Sequence, residues 1–177
     1  LTRGYVIDLS LASATGLLNI YKLSWEQDAL DFAGITADKL PDLAPVFHSP
    51  GKLRKEYQRS LGLADDVKLI IGSSDGCLAT LGGGVWEEGK AIITIEDSGA
   101  VRTVGKEVVR DTRQRFFNYL LTDNCYVSGG PTNNGGLIFE WFAKQFGDFK
   151  GPFDIDYTME NLIREAATAE VGSGGLI

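Results

Sequence analysis

A short polar turn with the sequence GSSDG, at residues 72–76, contains the carboxylate best placed for chemistry. It follows the apolar run VKLII at residues 67–71, which is typical of a buried strand, and a helix is predicted to begin at Cys77. In open α/β sheets, ligands bind beyond the carboxyl ends of strands, where the chain turns into a helix. Asp75 lies at that point, where a carboxylate can accept a proton from a ligand. The alternative is that Asp75 only caps the helix, since Asp is a favoured N-cap residue.

Two more glycine-containing turns are candidates for ligand contact. The sequence EDSG at residues 96–99 separates two strand-like stretches at residues 91–95 and 100–104, which predicts a β-hairpin. The sequence GGPTNNGG at residues 129–136 leads into a helix predicted over residues 137–146, whose apolar side chains recur on one face. By itself, each turn is equally typical of a tight connection without a ligand.

The remaining elements predict an α/β fold that positions these turns. Residues 5–9 resemble a short strand, and a helix is predicted over residues 25–33, capped by Ser24 and ended by Gly34. Further strand-like stretches follow at residues 116–121 and 126–128. Because consecutive strands followed by a helix start a second α/β layer, we place a domain boundary near residues 88–90.

The composition argues against several classes of function. The 177 residues carry 24 acidic and 17 basic side chains, a formal net charge of −7, which disfavours nucleic acid as a partner. No apolar run approaches the roughly 20 residues that cross a bilayer, so we expect a cytoplasmic protein without a membrane partner. Cys77, Cys125 and the one histidine, His48, are too few for a disulfide framework or a histidine-based metal site. We therefore expect buried thiols and no metal site formed by the protein alone.

Several motifs together resemble the FGGY family of carbohydrate kinases, and most closely its gluconate kinase branch. They occur in the order and spacing of that family and cover essentially the whole chain. The motifs are DLSLASATGLLN at residues 8–19, the turn at residues 72–76, SGAVRT at residues 98–103, and the glycine-rich segment at residues 129–136.

The resemblance implies a partial chain of an actin/hexokinase-like (ribonuclease H-like) two-domain kinase. Residues 1–89 would end the N-terminal, sugar-side domain, and residues 90–177 would begin the C-terminal, nucleotide-side domain. The chain starts at Leu1 without methionine and stops after a glycine turn, so we expect both ends to be cut from a longer protein.

The resemblance also implies roles for individual residues. Asp75 matches the general base that takes the proton of the sugar hydroxyl. Asp97, Ser98 and Gly99 match the turn that holds the phosphates of ATP, although the family usually has Gly-Thr-Ser-Gly where this chain has Glu96-Asp97-Ser98-Gly99. The added carboxylates would repel phosphate unless a divalent cation lies between them or the turn points elsewhere. The alternative is that Glu96 and Asp97 only form a solvated turn. Gly136 and Glu140 match a further nucleotide contact. Asp8 and Ser13 match family positions, but we assign them no chemistry.

The function implied by the resemblance is ATP-dependent phosphorylation of a sugar acid or polyol, with Mg²⁺ bound mainly through the nucleotide. We expect gluconate to be the substrate and 6-phosphogluconate the product. The alternatives are a kinase for another sugar, such as xylulose or glycerol, a catalytically impaired sugar-binding relative, and a structural α/β domain without a ligand. The sequence leaves homo-oligomerisation open.

Overall fold

The computed structural model describes residues 4–146 and 154–175, and the chain forms two compact units. The first consists of the residues up to Ile92 together with Val101–Gly130, and the second of Ile93–Ala100 together with the residues from Pro131 onward. The predicted domains 1–89 and 90–177 concern a longer protein, and that division stays a prediction.

The N-terminal part of the first unit is a set of short elements. Strand β1 pairs in parallel with β4, and β2 pairs with β3 in antiparallel orientation. The elements are β1 (Val6–Asp8), α1 (Leu9–Ala14), β2 (Leu18–Asn19), β3 (Ser24–Trp25), α2 (Gln27–Ala33), a 3₁₀ turn (Ala37–Lys39), β4 (Asp42–Ala44) and α3 (Lys55–Ser60).

The helix predicted over residues 25–33 ends as expected but begins later. Gly34 ends α2 with a left-handed φ of 70°, which glycine adopts without steric cost. Ser24 and Trp25 pair with β2, so the helix begins at Gln27 and Ser24 does not cap it. Strand pairing therefore outweighs the capping tendency of Ser24.

The predicted hairpin and the two later strands form one sheet. In the described part of the chain its strand order is β5-β6-β8-β7, and β7 and β8 are antiparallel, with an irregularity between Leu120 and Thr122. The last strand is longer than predicted, because it continues through the first glycines of the glycine-rich segment. The strands are β5 (Ala91–Ile95), β6 (Gly99–Gly105), β7 (Phe117–Thr122) and β8 (Cys125–Thr132).

Helix α4 (Asp75–Gly82) packs on this sheet in the core of the first unit. Cys77 and Val85 are buried against the sheet residues Val104, Leu121 and Val127. Both cysteines are free thiols. The expectation of a buried thiol is confirmed for Cys77, which lies in the core, whereas Cys125 is half-buried and packs against the core. The core therefore fixes the helix on which Asp75 lies.

Residues 67–71 do not form the strand that their apolar sequence predicts. Ile71, the last residue of the run, and the following Gly72 each make one backbone hydrogen bond with a non-strand segment, from Ile71 N–H to His48 C=O at 3.1 Å and from Gly72 N–H to Val46 C=O at 3.1 Å. Ile70 is 53% exposed. A strand needs a continuous ladder of partners, and these two bonds do not continue into one.

The second unit contains two helices that pack on each other, α5 (Gly136–Phe146) and α6 (Asp154–Ala166). The predicted helix over residues 137–146 is thus confirmed. A short 3₁₀ turn, Ser173–Gly175, follows them. Within residues 4–146 and 154–175, none of the helices is both long enough and apolar enough to cross a membrane.

Candidate active site

Asp75 is the first residue of α4, and its side chain is exposed. The N-cap is Ser74, whose side chain accepts a hydrogen bond from Cys77 N–H at 3.4 Å. The alternative that Asp75 is only the helix cap is therefore wrong. The Asp75 Oδ1 atom accepts a bond from the adjacent Gly76 N–H at 2.6 Å. A carboxylate in the first turn of a helix also interacts favourably with the helix dipole.

A buried network joins the turn before Asp75 to the start of α1. Ser10 Oγ accepts hydrogen bonds from Ser73 Oγ and from Ser74 N–H, both at 2.7 Å. Ser10 Oγ in turn donates to Asp8 Oδ1, which also accepts from Ser10 N–H at 2.9 Å and from Leu11 N–H at 3.1 Å. Sequence reasoning missed Ser10. The available signal was the placing of a polar DLS sequence directly after a predicted strand.

A cation and two aromatic rings lie beneath the first turn of α4. A Cβ atom at Gly76 would come within 3.2 Å of Arg102 Nε and Nη2, so glycine lets the guanidinium pack against the helix backbone. The Arg102 guanidinium also lies 5.9 Å from the centre of the Phe117 ring, which stacks on Tyr119 at 4.5 Å. Burial raises the pKa of the Tyr119 hydroxyl, and the charge of Arg102 opposes that shift. Sequence reasoning treated Arg102 only as part of a motif.

The buried thiol Cys77 is close to Ser73 and Ser74 and is influenced by the charge of Arg102. Burial raises the pKa of Cys77, while hydrogen bonds with Ser74 and Ser73 and the charge of Arg102 lower it. The thiol is therefore protonated at neutral pH. It packs as a small apolar side chain and does not act as a nucleophile.

In the second unit, the structure brings together the turn at residues 96–99 and the start of α5. Gly136 N–H donates to Glu96 C=O at 2.5 Å, and Gly135 N–H and Leu137 N–H donate to Asp97 C=O at 3.2 and 3.3 Å. The turn itself closes with a bond from Glu96 N–H to Ser98 C=O at 2.8 Å. The carbonyls of the turn thus satisfy N–H groups that a helix start leaves without intrahelical partners. These amides are not available to a phosphate group.

Close backbone approach explains the glycines at this contact. A Cβ atom at Gly135 would lie 2.5 Å from Ser98 O and 2.6 Å from Glu96 O, and one at Gly136 would lie 3.0 Å from Glu96 O. Gly99 is buried, and a Cβ atom added to it would lie 3.0 Å from Thr132 Cγ2. The structure therefore places Asp97, Ser98, Gly99 and Gly136 side by side. The side chains of Glu96, Asp97 and Ser98 are exposed.

Glu140 lies on α5, one turn after Gly136. Its carboxylate forms an ion pair with Lys144 and lines an open surface cavity of about 470 Å³. Asn133, Asn134 and Trp141 also line this cavity. In the described residues, no cluster of three or more His, Cys, Asp or Glu side chains could hold a metal ion.

Comparison with known proteins relates these turns to one family. The N-terminal domain of the FGGY family of carbohydrate kinases matches residues 1–82. The chain is 37% identical to a gluconokinase from Bacillus subtilis (strain 168), over 98% of the chain and 34% of that protein. It also resembles solved structures of a ligand-bound xylulose kinase and a gluconate kinase from Lactobacillus acidophilus, at 33% and 32% identity. Each of the two comparisons has a TM-score of 0.81 and covers 100% of this chain and 35% of the chain in the solved structure.

The chain thus spans about a third of the length of these relatives. Its likeness to the two solved structures extends over all of its residues and confirms the predicted actin/hexokinase-like α/β fold. Agreement in sequence and in structure leads to one conclusion: the chain belongs to the FGGY family of carbohydrate kinases.

Proposed function

We propose that the protein to which this chain belongs transfers phosphate from ATP to the terminal hydroxyl of gluconate, forming 6-phosphogluconate, with Asp75 as the general base. The observation that carries the proposal is the exposure of the Asp75 side chain next to the N-cap of α4. Asp75 is exposed at the start of α4, and the capping role that could have occupied it is taken by Ser74. The similarity to gluconokinase supports the choice of a sugar acid as substrate.

The proposed step needs a carboxylate at the attacking hydroxyl. Asp75 accepts the hydroxyl proton while the sugar oxygen forms a bond to the γ-phosphorus, and the bond from that phosphorus to the bridging oxygen breaks to release ADP. Catalysis of phosphoryl transfer depends mostly on the positioning of the reacting groups and on stabilisation of charge. The base must therefore be held in place and remain open to the substrate. Asp75 meets both conditions, since its helix is anchored in the core while its side chain is exposed.

The nucleotide side of the proposal rests on Asp97, Ser98, Gly99, Gly136 and Glu140. We assign the phosphates to the turn at residues 97–99, in which Asp97 and Ser98 are exposed, with Gly136 and Glu140 nearby on α5. Because the amides at the start of α5 are bonded to the turn, contact with phosphate falls to the turn's exposed groups. ATP would enter as its Mg²⁺ complex, in which the cation offsets part of the repulsion from Glu96 and Asp97. A kinase using ATP and a small sugar acid would work in the cytoplasm.

Two other functions have specific support. A neutral sugar such as xylulose is one, because the xylulose kinase structure resembles this chain as closely as the gluconate kinase structure does. A catalytically impaired sugar-binding relative is the other, because Glu96 and Asp97 place negative charge on the turn assigned to phosphate.

The test measures ADP release by the full-length protein with ATP, Mg²⁺ and gluconate, xylulose or glycerol. Asp75→Asn should lower turnover about 100- to 10,000-fold, the usual contribution of a general base. Asp28→Asn is the matched control, because Asp28 is also an exposed Asp in the first turn of a helix, and it should leave turnover unchanged. Undiminished turnover in Asp75→Asn would refute the assignment of the base. Turnover with xylulose alone would favour the neutral-sugar kinase, and sugar binding without ADP release the impaired relative.

A further inference from the structure

The hydroxyl of Ser10 is the centre of a buried network. Ser10 is 0% exposed, and its Oγ atom makes the three hydrogen bonds that a hydroxyl can make, one as donor and two as acceptor. The donor bond goes to Asp8, and the acceptor bonds come from Ser73 and Ser74.

Asp8 determines the direction of these bonds. It is 3% exposed, lies at the end of β1, and caps α1 by accepting from Ser10 N–H and Leu11 N–H. A carboxylate only accepts hydrogen bonds, so the Ser10 hydroxyl must point its hydrogen at Asp8. Its lone pairs then face Ser73 and Ser74, which both donate to it.

Besides the bonds to Ser10, the turn is held at its start by the bonds that Ile71 N–H and Gly72 N–H donate to His48 C=O and Val46 C=O. Residues 67–71 form no strand, and Gly72 turns with a left-handed φ of 78°. Ser74 is the N-cap of α4, so the bond from Ser74 N–H to Ser10 Oγ acts one residue before Asp75. This bond joins residues 64 positions apart in the sequence. The hydroxyl of Ser10 therefore sets where the backbone enters the helix that carries the carboxylate.

We infer that Ser10, oriented by Asp8, is a positioning residue that holds Asp75 in the geometry required for proton transfer. The inference rests on the proposed function, because it gives Ser10 a role only if Asp75 is the base. Ser10→Ala would leave the Ser74 amide and the Ser73 hydroxyl without their shared acceptor. The turn would then shift, and a displacement of about 1 Å at a reacting group lowers turnover by as much as 100-fold.

The test is a double-mutant comparison in the full-length protein. Ser10→Ala should lower kcat for gluconate about 10- to 100-fold, while KM for ATP stays unchanged, because the nucleotide is assigned to other elements. In an Asp75→Asn background, adding Ser10→Ala should lower kcat no further, since effects of residues that act as a unit are not additive. A role confined to folding would lower activity in both backgrounds, so an equal loss in each would overturn the inference.

Ser13→Ala is the matched control on the same helix. Its hydroxyl bonds Ser10 C=O and Leu120 N–H and does not touch the turn, so kcat should remain at the wild-type level. If Ser10→Ala does not fold, Ser73→Ala takes its place, because it removes one donor and leaves Ser74 N–H bonded to Ser10. Wild-type kcat in both Ser10→Ala and Ser73→Ala would refute the positioning role and leave the proposed function standing. Full turnover in Asp75→Asn would refute the proposed function itself.

Discussion

Replacing Gly135 by Ala should separate the turn at residues 96–99 from the start of α5. The added Cβ would lie 2.5 Å from Ser98 O and 2.6 Å from Glu96 O, distances at which backbone atoms must move apart. The movement breaks the hydrogen bonds that Gly135, Gly136 and Leu137 donate to the turn. At about 1 kcal/mol net for each bond, their loss costs about 3 kcal/mol of local stability.

Hydrogen exchange of the backbone amides measures this cost locally in the full-length protein. A loss of about 3 kcal/mol corresponds to exchange roughly 100-fold faster at Gly136 and Leu137, if these amides exchange by local opening. Gly130→Ala is the matched control, because its Cβ would be 3.4 Å from the nearest atom, an ordinary contact with the Phe116 ring. It carries the same change in unfolded-chain entropy without the clash.

Exchange at Gly136 and Leu137 that is equally slow in Gly135→Ala and Gly130→Ala would refute the reasoning. It would mean that the turn and the start of α5 are not in backbone contact. Because the turn is the proposed phosphate contact, Gly135→Ala should also raise KM for ATP.

Two further predictions concern charge and ionisation. Replacing Glu96 by Gly together with Asp97 by Thr should increase ATP affinity several-fold, most strongly at low Mg²⁺, because repulsion of the phosphates is removed. Unchanged affinity in an ATP titration would show that the turn does not contact phosphate. Cys77 should resist alkylation in the native protein at neutral pH and still at the pH where an ordinary thiol ionises, because burial raises its pKa and keeps the thiol protonated, and it should react on unfolding. Mass spectrometry showing Cys77 modified before the half-buried Cys125 would contradict its place in the core.

Several parts of the fold were predictable because local sequence determines them. A glycine that adopts a left-handed conformation ends α2 at Gly34, and β-branched residues on both sides of a polar turn predict β5 and β6. The apolar face of residues 137–146 likewise predicts α5. Each of these signals acts over a few neighbouring residues, so no distant contact was needed to read it.

Other parts depended on contacts that the local sequence does not contain. The apolar run at residues 67–71 looks like a strand, yet strand formation depends on a partner ladder that this run does not have. Ser24 is a good cap by type, but its pairing in β3 places it outside the helix. In the first case the absence of a strand partner, and in the second the presence of one, decided against local propensity.

For the candidate site, a carboxylate after an apolar run and close to the start of a helix could be predicted from the residues alone, and resemblance supplied its expected role. That Ser74 caps α4 and leaves Asp75 exposed depends on the backbone geometry at the turn, which is visible only in the folded chain. Only the tertiary structure placed Ser10 against Ser73 and Ser74, across 64 positions in the case of Ser74. Hydrogen bonds over such separations arise when packed elements bring the groups together, and no local pattern of residue types encodes them.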